Sequence, residues 1–343
     1  MNVTASLVRS AAFAGGVSFV LALLLTPFAS ALARRTGAVA KAKSDRWHSR
    51  PTPMLGGIAF TIAALATIAI FVPLAHDHLV VIAGSGLLFV TGLVDDFLHI
   101  KPYQKLIGQL LGAALVVGFG LTLPWTPYTT VNLFITLFWL VGITNAVNML
   151  DNMDGLAAGV SAIAAVFLAL TFLQNQQAGA ALMLIAVAGS LAGFLVYNRH
   201  PASIFMGDCG SMFLGFFLSS MAVVSHSGGG RSRSVIAVLA VPVLVLVVPI
   251  FDTTFVTVMR KLAGRAASQG GRDHTSHRLV ALGLSERHAV WMLYSFAAAA
   301  GLISLVVRRA PLVLSLGAIG VFTMVLALTG IRLARVRVYE DPA

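Results

Sequence analysis

Charge is what this chain has least of. Asp, Glu, Lys and Arg make up 10% of its 343 residues, against roughly 25% in an average soluble domain. Hydrophobic residues account for 58%, and the mean hydropathy is +0.91. That excludes an ordinary soluble globule and predicts an all-α, polytopic membrane protein, read as one integral-membrane domain over 1–343. The one cysteine, Cys209, excludes an intrachain disulfide and a cysteine-cluster metal site. No Walker-type loop or GxSxG elbow is present, which removes the P-loop and nucleophile-elbow chemistries. Internal repeats and low-complexity tracts are also missing. The first apolar segment lacks a small-residue cleavage site and is read as a retained span. Acids are scarcest of all, 12 against 23 Lys and Arg, for a net charge of +11. The orientation rule for membrane proteins explains such an excess first. Anionic lipid or an anionic substrate comes second, and no nucleic-acid partner is expected.

Apolar runs long enough to cross about 30 Å of hydrocarbon fall at 10–33, 54–75, 79–97, 104–123, 129–150, 155–174, 178–197, 210–226, 235–259, 289–307 and 311–331. This predicts about 11 transmembrane helices. With the N-terminus outside and the C-terminus cytoplasmic, 18 of the 23 Lys and Arg lie on the inner side, as the rule requires. The same orientation brings ten of the 12 acids to or near the inner face. Asp77 falls outside, and Asp252 sits within the ninth span. Acids contribute little to orientation, so a shared inner-face site is the better explanation for their clustering.

Five stretches carry chemistry. Asn145, Asn148, Asp151 and Asp154 recur at every third position at the end of the fifth span. On a helix this row drifts by only about 60° per step, so the four share one half of the circumference. Ionisable groups so near hydrocarbon are functional-site candidates; the bland alternative is a polar loop. Asp95-Asp96 closes the third span, and adjacent carboxylates favour a cation or a shifted pKa; the alternative is a solvated helix end. Lys101 and Lys105 follow, and Lys105 is within reach of an anion there. Gly207-Asp208-Cys209-Gly210-Ser211 precedes the eighth span, where backbone can approach a ligand closely and helix N–H groups suit phosphate. A plain helix cap by Asp208 is the competing reading. Arg272-Asp273-His274-Thr275-Ser276-His277-Arg278 lies in the longest inner connection and reads as a diphosphate or sugar clamp, or as a basic segment against anionic lipid. The 34–53 connection, with Asp45 to Arg50 and its neighbouring prolines, reads either as a border of the same site or as basic residues that satisfy orientation. Hard oxygen donors favour Mg²⁺, with Mn²⁺ an alternative. A divalent ion with basic clamps suits transfer at a diphosphate.

The chain resembles the polyprenyl-phosphate N-acetylhexosamine-1-phosphate transferases. The matching stretches are Pro53-Met-Leu-Gly56-Gly57, Asp95-Asp96, Asn145-Ala-Val-Asn148-x-x-Asp151-x-x-Asp154-Gly155, Asn198-x-x-Pro201-Ala-x-Ile-Phe205-Met-Gly-Asp208-x-Gly-Ser211, and the loop 272–278. They run in the family's order over nearly the whole chain. The resemblance implies that a polyprenyl phosphate attacks the β-phosphate of a UDP-N-acetylhexosamine, releasing UMP in a Mg²⁺-assisted reaction at the inner cell membrane. By the family pattern Asp208 and Asn148 hold the ion. Phe205 stacks on uracil, with Asn198 and Asp151 nearby. Lys105, Arg272, His274 and His277 hold the diphosphate and sugar. Asp95 is the candidate base, with Asp96 beside it, and Asp151 and Asp154 complete the catalytic set. His99 stands where the muramoyl-pentapeptide branch usually has Lys, and His274-Thr-Ser-His277 replaces that branch's three consecutive histidines. Both differences, and Pro249-Ile-Phe-Asp252-Thr, point to the GlcNAc-phosphate branch, although Ser276 departs from its usual His. Asp252 has no assigned role. UDP-MurNAc-pentapeptide is the alternative donor, an ion-coupled transporter is the distant one, and a homodimer is compatible with the sequence.

Overall fold

The computed structural model describes residues 2–40, 51–227, 235–266, 269–336 and 338. Asp45 to Arg50, Gly228-Gly229-Gly230 and the end of the C-terminal tail fall outside these residues. Thirteen helices are described: α1 (Asn2–Thr36), α2 (Gly56–Phe71), α3 (His76–Leu98), α4 (Pro102–Gly118), α5 (Thr129–Leu150), α6 (Leu156–Gln174), α7 (Ala178–Asn198), α8 (Gly207–Ser227), α9 (Val235–Val245), α10 (Val247–Leu262), α11 (Thr275–Ala281), α12 (Glu286–Val307) and α13 (Leu312–Ala334). A two-residue antiparallel pair, β1 (Val39–Ala40) with β2 (Thr52–Pro53), is the described strand structure. The all-α reading holds, and the chain is a multi-pass membrane protein.

Each of the eleven apolar runs coincides with a helix or a helix pair, but they are not eleven equal spans. Eight helices are long and apolar enough to cross a membrane, and a ninth candidate is the α9–α10 pair. That run, expected to be one straight helix, bends by 75°. The cause is local. Pro249 sits in the first turn of α10, where its missing N–H cannot bond the carbonyl four residues back. α2 has 16 residues, which spans only about 24 Å. It ends because Val72, before Pro73, is extended at φ −109°, ψ 123°, the conformation a following proline imposes. α4, with 17 residues, stops before Gly120 at φ +89°.

α8 is the axis of the bundle: 89% of its most apolar window is buried. Its neighbours approach through small residues, as lipid-embedded helices commonly do. A Cβ on Gly57 would lie 2.4 Å from the Gly210 nitrogen, and one on Gly92 2.3 Å from the Asp208 carbonyl oxygen. α1 and α7 meet the same way, with a Cβ on Gly189 only 2.3 Å from the Gly15 carbonyl oxygen. Most buried apolar residues join into one core reaching from α1 to α13, and Ala33, Ala38 and Leu55 form a small second cluster.

The close approach of α3 to α8 gives a controlled test. Gly92→Ala should cost about 1–3 kcal/mol of stability in detergent unfolding, the usual range for overpacking. Gly86→Ala, on the same helix with nothing within 4 Å of a Cβ, should be neutral or gain about 1 kcal/mol from helix propensity. Equal behaviour of the two variants would contradict this packing.

Candidate active site at one end of the bundle

The C-terminal ends of α3, α5 and α7 and the N-terminal ends of α4, α8 and α12 meet at one end of the molecule. A cavity of about 700 Å³ there is lined by Asp95, Asp96, Asp151, Asp154, Asn198, Phe205, Asp208, Arg272 and His277, together with Met54, His99, Asn152 and Gly207. Nine of the twelve site residues expected from sequence therefore share one cavity. Lys105 and Asn148 join it through Asp208. His274 does not point there.

The polar core of the site is built on α8. Asp96, 7% exposed, accepts from the backbone N–H of Asp208 at 2.8 Å and of Cys209 at 3.0 Å. It thereby caps the α8 N-terminus from a neighbouring helix, satisfying two donors that a helix start leaves unpaired. Gly207, at φ +73°, lets the chain turn into α8 with no room for a Cβ between Met54 and Asp96. With its backbone fixed, the Asp208 carboxylate takes two side-chain donors. Lys105 Nζ pairs with Oδ2, and Asn148 Nδ2 donates to Oδ1 at 2.8 Å and also to Ser211 Oγ at 2.8 Å. The same ammonium lies 2.5 Å from Asp95 Oδ2. One cation thus sits between two carboxylates.

The polar row divides. α5 ends at Leu150 with Asp151 as its C-cap, and Gly155 adopts φ +74°. Only Asn145 and Asn148 therefore stand on the helix. Asn145 forms a reciprocal amide pair with Gln109, at 3.1 and 2.8 Å. Asp151 and Asp154 lie in the turn, where both reach the cavity. The common helical face expected for all four is corrected by this break. Asp154 Oδ2 meets His200 Nδ1 at 3.0 Å and accepts from Ala202 N–H at 2.9 Å.

Phe205 is held by backbone pairing. Its N–H donates to Pro53 at 2.8 Å, and its carbonyl accepts from Gly56 at 2.9 Å. The Pro53–Gly57 stretch seen in sequence is thus the strap for the Phe205 wall. Asn198 Nδ2 donates to the Ile204 carbonyl at 2.9 Å. Its Oδ1 is buried and has no hydrogen-bond partner, although the residue lines the cavity.

In the 260–288 connection the buried charges are structural. Arg260 grips Asp273 with two bonds of 2.7 Å, both side chains about 3% exposed. Arg278, fully buried, donates to the Leu333 and Val336 carbonyls and lies over the Phe255 ring. Asp252 acquires its role here. It accepts from Thr275 N–H at 2.8 Å and Thr275 Oγ1 at 2.6 Å, and meets His274 Nδ1 at 2.7 Å. His274 therefore faces Asp252 and does not line the cavity, contrary to its expected place there. Ser276 Oγ donates to Asn152 Oδ1 at 2.7 Å, tying α11 to the turn after α5. Arg272 and His277 are left at the cavity wall. Burial, with the nearby His274, pushes the His277 imidazole down to about 4. It is neutral at pH 7, so it offers a hydrogen bond there and no charge.

Sequence comparison adds an independent finding. The model of glycosyl transferase family 4 matches residues 78–226. A Bacillus subtilis protein named "probable undecaprenyl-phosphate N-acetylglucosaminyl 1-phosphate transferase" is 34% identical over 310 residues, covering 88% of this chain and 86% of that protein. The decaprenyl-phosphate N-acetylglucosaminephosphotransferase of Mycolicibacterium smegmatis is 32% identical over 323 residues, 83% of this chain and 79% of the relative. A phospho-N-acetylmuramoyl-pentapeptide-transferase of Desulforamulus reducens is 34% identical over a shorter 252 residues, 62% of this chain and 73% of the relative.

Two outcomes follow from the loop geometry. Asp252→Ala strands His274 and Thr275 and should cost about 1–3 kcal/mol, with faster proteolysis near residues 269–274. Unchanged proteolysis would deny Asp252 its anchoring role. The folded His277 binds its proton more weakly than the unfolded chain, whose imidazole titrates near about 6.5. Stability is therefore intact above that pH and falls as pH drops toward about 4, by up to about 3 kcal/mol. His277→Gln should flatten that part of the stability–pH curve.

Proposed function

The chain belongs to glycosyl transferase family 4 and is a phosphotransferase-type enzyme; from that membership and the cavity at the bundle end we propose that it transfers a sugar-1-phosphate, GlcNAc-1-phosphate, from UDP-GlcNAc to a polyprenyl phosphate. An oxygen of the acceptor phosphate attacks the β-phosphorus. The bond from that phosphorus to the oxygen bridging to the α-phosphate breaks, and UMP leaves. The product is a polyprenyl-diphosphate sugar for cell-wall or surface polysaccharide. The observation that carries this reading is the Lys105 ammonium between Asp95 and Asp208, beside the cavity wall formed by Phe205, Asn198, Arg272 and His277.

The site residues divide the work. The ring of Phe205 stacks on uracil. The buried, unpartnered Oδ1 of Asn198 accepts from the uracil imide N–H, which turns a cost into a contact. Arg272 supplies bidentate contacts to the diphosphate, and neutral His277 donates to the sugar or phosphate. Lys105 neutralises the charge that builds on the transferring phosphoryl group, the dominant kind of assistance in such reactions. A lipid phosphate is largely ionised at neutral pH, its second pKa being about 6. Asp95 therefore has no proton that it must remove, and we assign it to holding Lys105. Asp96 positions Asp208 by capping α8.

The donor set fits Mg²⁺. Two carboxylates converge on the point that Lys105 Nζ holds, and hard oxygen ligands suit that ion. Asp208 would bind it directly. Asn148 turns its amide nitrogen toward Asp208, so its oxygen would serve only after the amide rotates. Bound there, Mg²⁺ would draw charge from the diphosphate oxygens. The cavity end is taken as the cytoplasmic face of the cell membrane, where a UDP-sugar is met.

The test is a panel of UDP-N-acetylhexosamines, UDP-MurNAc-pentapeptide included, given to the purified protein with undecaprenyl phosphate and Mg²⁺. UMP release with UDP-GlcNAc is expected. Silence with every donor would refute the enzyme reading, and release with the muramoyl-pentapeptide donor alone would move the chain to that branch. Asp208→Ala should abolish turnover, and Lys105→Ala should lower it by about 10²–10³-fold, the scale for losing one preorganised electrostatic contact.

A further inference from the structure

A second cluster of metal-ligating side chains lies behind the main cavity. His200 Nδ1 is 3.0 Å from Asp154 Oδ2 and 3.0 Å from Glu286 Oε2, and the three donor atoms all lie within 4.8 Å of one another. The groups come from three separate places: the turn after α5, the segment after α7 and the first residue of α12. Asp154 and His200 line a cavity of about 550 Å³ together with Arg199, Arg287 and Tyr294.

Hydrogen bonding alone serves this cluster poorly. One ring nitrogen carries at most one proton, yet it stands equally close to two carboxylate oxygens. Asp154 is deeply buried, its side chain 1% exposed, and the same oxygen already accepts from Ala202 N–H. A cation is the better bridge. Donors about 2.1 Å from a first-row metal ion, seen at right angles, lie about 3.0 Å apart, the separation of His200 Nδ1 from each of the two carboxylate oxygens. Glu286, with 21% of its side chain exposed, is free to close the triangle, and open positions would take water. One imidazole nitrogen with two carboxylate oxygens suits Mn²⁺ or Zn²⁺ better than Mg²⁺.

We propose that Asp154, His200 and Glu286 form a binding site for a first-row divalent cation, separate from the Asp208 site. The ion would clip the start of α12 to the turn that carries Asp151 and Asp154. Since Asp154 lines both cavities, occupancy would also fix its carboxylate at the edge of the main one. This inference does not depend on the transfer reaction.

Full-length protein in detergent, stripped with a chelator and titrated with Mn²⁺, gives the test. Pulsed EPR of bound Mn²⁺ should report a directly bonded ¹⁴N from His200. Asp208→Asn should keep that coupling and His200→Gln should remove it. Glu286→Gln, a conservative change at a partly exposed position, should weaken the nitrogen-coupled Mn²⁺ by about tenfold or more and serves if His200→Gln does not fold. Wild-type protein without ¹⁴N coupling, a coupling that survives His200→Gln, or unchanged affinity in Glu286→Gln would each overturn the site.

Discussion

The two bonds from the start of α8 to Asp96 set the rest of the site. A helix N-terminus carries a partial positive charge and unpaired N–H groups, and here a carboxylate from another helix meets both. That contact exists only because α3 lies against α8 at Gly92 and the chain turns at Gly207. It fixes where the Asp208 side chain starts and how far it reaches. Lys105, Asn148 and Ser211 then gather around that one carboxylate and its helix. Small-residue packing in the membrane is thus converted, through one cap, into a defined arrangement of charge at the bundle end.

The buried charges in and under the neighbouring loop serve structure. Arg260 with Asp273, Arg278 with backbone carbonyls, and Asp252 with His274 and Thr275 are all buried. A buried ion pair is weak evidence for stability but costly to break, so these contacts hold one loop shape. The consequence is that Arg272 and a neutral His277 present themselves to the cavity from a rigid support. Such preorganisation is what transfer chemistry by positioning and electrostatics requires.

Much of this was legible in the sequence. Eleven apolar runs marked eleven helical segments because hydrocarbon leaves the backbone little choice. Asp95, Asp151, Asp208, Phe205 and Arg272 were found because ionisable and ordered motifs at helix ends are rare without a reason. What escaped was whatever depends on two distant segments meeting. Asp96 reads as half of an acidic pair until α8 arrives to be capped. Asp252 has no meaning before Thr275 folds onto it from 23 residues away. His274 and His277 look alike in sequence, and only the start of α11 between them sends one inward and one to the cavity. The three-residue period at 145–154 described a helix that ends at Leu150, before Asp151 and Asp154 are reached. His200 and Glu286 carried no signal, since 86 residues separate them and only one belongs to a motif stretch.

The central claim is that the bond broken lies between the two phosphates of the donor. UDP-GlcNAc labelled with ³²P at the β-phosphate, given to the protein with undecaprenyl phosphate, tests it directly. The account predicts label in the lipid fraction, matched by unlabelled UMP in the aqueous phase. Label recovered as UDP, with the sugar alone on the lipid, would contradict it.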